Sequence, residues 1–271
     1  MTSTSETLRL RRGVGVLPRG NGLLQVGHDP SRRVLLPDTP SIAGFLHDLA
    51  AGVDPPQAPE LEQVVATLRS NGLVVDAGDR RRRHRARSRT SVEVLGPDPW
   101  RRELTLLLVE AGLGPPGLSP PSQDGTTADG VTVLLSAGEP DREYVDALTH
   151  AGDPVLFLSV VDARVRLGPF VLPGVTACLR CVDAHLAAVD PWHTGALPAA
   201  ARGEFPLDLP PLLMRLALVR AAGDIAVWAE GRRPQTWSAT TWLGEDLDAE
   251  HETWTRHPHC GCSWGDSLLT R

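Results

Sequence analysis

The sequence predicts an α/β chain in two parts, joined by a segment crowded with arginine. Three observations predict it. Residues 8 to 78 open with short runs bounded by glycine and then take up helical spacing. From Val92 onward, apolar runs of strand length alternate with helical stripes, the pattern of an open α/β sheet. Two close cysteine pairs stand far apart in this second part and give it a means of closure.

In the first part, Leu8 to Leu17 alternates as a strand, Pro18-Arg19-Gly20-Asn21-Gly22 is turn chemistry, and Leu23 to Val26 and Arg33 to Leu36 supply two further strands. Asp38 or Thr39 can cap a helix starting near Pro40, with Ile42, Phe45, Leu46 and Leu49 on one face and Gly52 as its stop. A second helix runs from about Pro59 to Ser70 on the stripe Leu61, Val64, Val65 and Leu68; Asn71-Gly72 ends it before a strand from Leu73 to Val75. Three short strands, two helices and a closing strand make a winged-helix-like layout.

The stretch Asp79 to Arg89 holds seven arginines and reads as a solvated linker extended by its own repulsion, though it could also contact phosphates or an acidic peptide. The boundaries expected are a first domain over 1–78, a linker over 79–90 and an α/β domain over 91–271. In the last, Val92 to Leu95 is a strand, Trp100 to Ala111 a helix, Gly114 to Gly130 an exposed loop, Val131 to Leu135 a strand, Asp141 to Ala151 a helix and Val155 to Val161 a strand. Arg164 to Leu172 adds a strand or hairpin, and Pro211 to Ala229 a long apolar helix.

Composition excludes several chemistries. The 271 residues are 41% hydrophobic, enough for a real core. No run approaches the roughly 18 apolar residues of a membrane span, and Met1 to Leu10 lacks the apolar segment of a signal peptide, so a cytoplasmic location is expected. All 27 basic residues are arginine. Without lysine there is no Walker-type phosphate loop and no Schiff base. A net charge of −6 argues against a dedicated nucleic-acid binder.

The strongest chemical signal is Cys178-Leu179-Arg180-Cys181 with Cys260-Gly261-Cys262. Two thiolates three residues apart can occupy adjacent corners of a tetrahedral Zn²⁺, and the later pair completes a closed, structural site. The alternative is four free thiols or a redox pair. His257 and His259 stand beside the second pair as bystanders.

The turn after the first α/β strand reads Gly96-Pro97-Asp98-Pro99-Trp100, with one glycine where a dinucleotide fingerprint has three. Pro97 and Pro99 offer no N–H to a phosphate. Asp183, His185, Asp190 and His193 cluster after the first cysteine pair; a His–Asp pair can do acid–base work, but such residues more often cap helices or face solvent. Trp237, Trp242, Trp254 and Trp264 suit a core or an interface.

The run Gly168-Pro169-Phe170-Val171-Leu172-Pro173-Gly174-Val175-Thr176-Ala177-Cys178-Leu179-Arg180-Cys181, its continuation to Asp190-Pro191, and His259-Cys260-Gly261-Cys262 resemble the ThiF-like proteins of ribosomal-peptide cyclodehydratase systems, of the precursor leader-peptide-binding type. The resemblance implies a winged-helix-like peptide clamp followed by a degenerate Rossmann-like, ThiF/ubiquitin-activating-like domain with structural zinc. Catalytic members adenylate a carboxylate with a glycine-rich loop, an arginine, a lysine and an aspartate; this chain departs at the loop and the lysine. It therefore looks like the partner proteins that present a leader peptide to a separate YcaO-type enzyme, which uses ATP to convert Cys, Ser or Thr to azolines. By position, the resemblance assigns peptide contact to Arg33, Val34, Leu35 and Leu36 on a strand edge and to Glu62, Val65 and Arg69 on the following helix. Val34, Leu36 and Val65 equally suit the core. A homodimer is a further expectation, from related activating enzymes and from the apolar helix after Pro211. The rival functions are an adenylating enzyme with an unusual ATP site and a DNA-binding regulator.

Overall fold

The structure, a computed structural model, describes residues 8–55, 58–114, 130–203 and 209–263. The chain divides into two compact units, Met1–His84 and Arg85–Arg271.

The first unit contains β1 (Leu8–Leu10), β2 (Val16–Gly20), β3 (Leu23–Val26), β4 (Val34–Pro37), α1 (Pro40–Ala51), α2 (Pro59–Ser70) and β5 (Val74–Asp76). The stretch expected as one strand from Leu8 to Leu17 is two. Gly13, at φ 84°, turns the chain, so that β1 pairs with β5 while β2 pairs with β3. Asn21 and Gly22, both left-handed, close the β2–β3 hairpin. Strands β2, β3 and β4 form an antiparallel sheet in that order. Thr39, rather than Asp38, caps α1 by accepting from the Ile42 N–H, and Gly52 ends it at φ 75°. Glu60 and Glu62 at the start of α2 and Arg69 at its end complement the helix dipole. Phe45, Leu46, Leu49, Leu61, Val64 and Leu68 pack against Leu24, Val26, Val34 and Leu36.

The arginine-rich segment is not extended. It forms α3 (Ala77–Arg89), with no buried residue. The Asp76 carboxylate accepts from the Gly78 N–H at 2.8 Å, and Asp79 pairs with Arg82 and Arg83 one turn on. These contacts, with arginine's good helix propensity, outweigh self-repulsion that solvent screens.

The second unit contains β6 (Ser91–Leu95), α4 (Trp100–Glu110), β7 (Gly130–Ala137), α5 (Arg142–His150), β8 (Val155–Val161), β9 (Arg164–Val171), α6 (Leu179–Val189), α7 (His193–Arg202), α8 (Pro211–Ala229), β10 (Ala239–Leu243) and β11 (Ala249–Thr253). They build one six-stranded mixed sheet, ordered β11-β10-β9-β8-β7-β6, in which β6, β7 and β8 are parallel and the remaining pairings antiparallel. Because successive strand residues face opposite ways, Val133, Leu135, Leu156 and Leu158 take α4 and α8 on one face. Leu134, Val155, Phe157 and Val171 take α5 and the start of α6 on the other. Most of the loop expected from Gly114 to Gly130, and Trp264, lie outside the described residues.

Gly96 follows β6 at φ 131°, and a Cβ there would lie 2.3 Å from the Leu135 carbonyl oxygen. The close approach of two strand ends accounts for this glycine without a phosphate.

Candidate metal centre

Cys178 is the extended N-cap residue of α6, and Cys181 lies in that helix's first turn. The approach to them is fixed by Thr176: its Oγ1 accepts from the Leu172 N–H at 2.7 Å. The Ala177 N–H, in turn, donates to Ser238 Oγ at 3.0 Å. Cys260 and Cys262 arrive from the far end of the chain, after β11, on a tight turn that enters the one-turn 3-10 helix Gly261–Ser263. The Cys260 N–H donates to the His257 carbonyl at 2.9 Å, and Arg256 donates to the Cys262 carbonyl at 2.9 Å.

The two arms meet. The four sulfurs all lie within 4.8 Å of one another, with Cys178–Cys181 at 3.7 Å, Cys178–Cys260 at 3.6 Å and Cys181–Cys262 at 3.4 Å. A disulfide needs about 2.05 Å, so these are free thiols. Four sulfurs at about 2.3 Å from one tetrahedral ion would stand about 3.8 Å apart, close to the observed spacing. Cys178, Cys181 and Cys260 are buried, with Leu179, Phe157 and Val171 walling the site.

The electrostatics of the set point the same way. The Cys181 sulfur is lowered to about 4 because the Cys178 thiol and the His257 backbone N–H both donate to it. Cys178 is held far above the usual thiol range by that same hydrogen bond and by burial. Burial pushes Cys260 up to about 12. Metal-free, the cluster favours a thiolate on Cys181 beside neutral thiols on Cys178 and Cys260; a bound divalent cation would balance several buried thiolates at once. The donor set therefore fits a metal ion.

The polar residues after Cys181 have individual places. Asp183 is buried and receives a bidentate hydrogen bond from Arg142, at 2.8 and 2.9 Å. Arg142 also meets Glu139 at 2.9 Å, and Glu139 meets Arg166 at 2.7 Å, making an alternating chain of buried charges that ties α5 and α6 to β9. Burial raises the Glu139 carboxyl, but Arg166 and Arg142 outweigh it and hold it below its ordinary value. His193 lies 3.7 Å from Asp183. His185 contacts the Thr255 carbonyl at 3.0 Å and stacks edge-on with His257. Asp190 closes a turn by accepting from the Trp192 N–H. Arg142, Glu139 and Arg166 carried no sequence signal, since Asp183 lies 41 residues from its partner.

The strand and helix positions assigned to peptide contact divide by burial. Val34 and Leu36 are in the core and Val65 packs against it, whereas Arg33, Leu35, Glu62 and Arg69 are exposed. Any part Val34 and Leu36 take is through their backbone.

No family model matches this chain, and no curated protein matches it. Its likeness is to solved structures, at identities that show the fold alone. The heterocyclase TruD superposes with a TM-score of 0.66 at 15% identity over 95% of this chain and 42% of that one. A heterocyclase in complex with substrate and cofactor gives 0.65 at 16% identity, over 94% of this chain and 39% of that one. The chain thus spans about two fifths of these heterocyclases. MccB of E. coli with ATP gives 0.63 at 12% identity, over 95% of this chain and 99% of that one.

Proposed function

We propose that this chain is a non-catalytic, zinc-containing partner protein that binds the leader of a ribosomally made precursor peptide and delivers it to a separate YcaO-type cyclodehydratase for azoline formation. The reading takes the first unit as a winged-helix-like peptide clamp and the second as a degenerate Rossmann-like, ThiF-type domain. Zinc is the ion favoured by an all-sulfur tetrahedral set with no open position, and such an ion braces the scaffold without taking part in chemistry.

The observation that carries the reading is the edge strand β4. It has β3 on one side and no strand on the other among the described residues. The opposite edge, β2, is blunted by Pro18 and a register shift between Pro18 and Gly20, so β4 is the edge fit to accept an extended peptide. A peptide strand there would hydrogen-bond to the backbone of Arg33 to Leu36 and lie beside α2, where Glu62, Val65 and Arg69 can select its side chains.

The competing reading, an adenylating enzyme, is favoured by the likeness to an MccB structure holding ATP. Against it stands the turn at Gly96. Asp98 places a carboxylate at the start of α4, paired with Arg101 at 3.2 Å and Arg102 at 3.3 Å, where a phosphate would need open N–H donors. Titration of the purified protein with candidate leader peptides, run beside ATP–pyrophosphate exchange, tests the choice. Peptide binding without exchange is expected; peptide-dependent exchange would overturn the non-catalytic reading.

A further inference from the structure

The arginines of α3 are sorted by face. At 3.6 residues per turn, Arg82, Arg83 and Arg87 share one arc of about 140°. Each is paired: Arg82 with Asp76 and Asp79, Arg83 with Asp79, and Arg87 with Glu230. Arg80, Arg81 and Arg85 share the opposite arc with His84 and Ser88. All five are exposed, and among the described residues the three arginines have no ion pair. The close ion pairs of Asp76, Asp79 and Glu230 thus lie on one side of the helix, and the other side is left cationic.

We propose that Arg80, Arg81 and Arg85 form a docking face for an acidic segment of another polypeptide. Charge complementarity names the chemistry, and the size of the face names the class of partner. Arg80 and Arg85 are about 7.5 Å apart along the helix axis, a span matched by two or three carboxylates of one peptide segment. Tight duplex binding draws on roughly six to ten phosphate contacts, more than three arginines supply, and the chain's net charge of −6 opposes a long polyanion. The face shares no residue with the β4 edge and stands apart from the delivery reading.

The test titrates the full-length protein with a fluorescent decaglutamate peptide at low salt, with a 20-base-pair duplex as the comparison. R80Q/R81Q/R85Q is set against R82Q/R83Q/R87Q, which removes the same charge from the paired face of the same helix. The expected result is decaglutamate binding that weakens at least tenfold in R80Q/R81Q/R85Q, whose helix content is unchanged by circular dichroism, and less than threefold in the control. Equal losses in the two variants, no binding by the unmodified protein, or tighter binding of the duplex at 150 mM salt would each overturn the proposal.

Discussion

The backbone N–H of His257 donates to the sulfur of Cys181 across 3.3 Å, joining the C-terminal arm to the first turn of α6. Such a bond stabilises a thiolate, and it sits where two distant parts of the chain must be held together. Replacing Cys181 or Cys260 with serine is expected to lower metal content below one equivalent and to cost about 3–5 kcal/mol. For a unit of this size that is roughly 10 °C in Tm, readable by calorimetry with and without chelator.

The Arg142–Asp183 pair is buried on both sides, so removing one partner strands a charge. Asp183→Ala is expected to destabilise by about 3–5 kcal/mol, seen as a lower urea midpoint. Replacing both residues with apolar side chains of similar volume is expected to recover most of the loss.

Glu139 sets the direction of an acid transition. Its carboxyl is held below its ordinary value of 4.5 by Arg166 and Arg142 against the opposing effect of burial. The stability this contributes is fully present above the unfolded value and is lost as pH falls through the lower folded value. Stability measured from pH 6 downward is expected to fall below about pH 4.5, with a shallower slope in Glu139→Gln.

Neighbours on β4 separate packing from recognition. Leu36→Ala is expected to cost about 2–4 kcal/mol, because Leu36 is in the core. Leu35 is exposed, and Leu35→Asp is expected to change stability by less than about 0.5 kcal/mol while weakening leader-peptide binding about tenfold.

Gly96→Ala puts a Cβ against the Leu135 carbonyl at a φ of 131°. A loss of about 2–4 kcal/mol is expected in denaturant unfolding, independent of added ATP.

The cysteine site was legible because thiol pairs at short spacing have few other uses in a chain of this kind. Helices α1, α2, α4, α5 and α8 were legible because each carries an apolar stripe or a cap of the right type. Helix α3 has no apolar periodicity to read, since its stability comes from Asp76 and Asp79, and the start of α6 is overlaid by the metal motif. Strand β11, Ala-Glu-His-Glu-Thr, is exposed throughout and has no apolar pattern to read; it forms by pairing with β10. The buried chain from Asp183 to Arg166 depends on contacts far apart in sequence, and no local pattern encodes it.

Backbone amide hydrogen exchange, with and without a saturating leader peptide, most directly tests the claim that this protein recognises peptides on the open edge of β4. New protection is expected over Val34–Pro37 and the facing turns of α2, with the Gly96 turn unchanged whether or not ATP is present. Exchange on β4 unaltered by bound peptide, or protection that appears at the Gly96 turn when ATP is added, would contradict it.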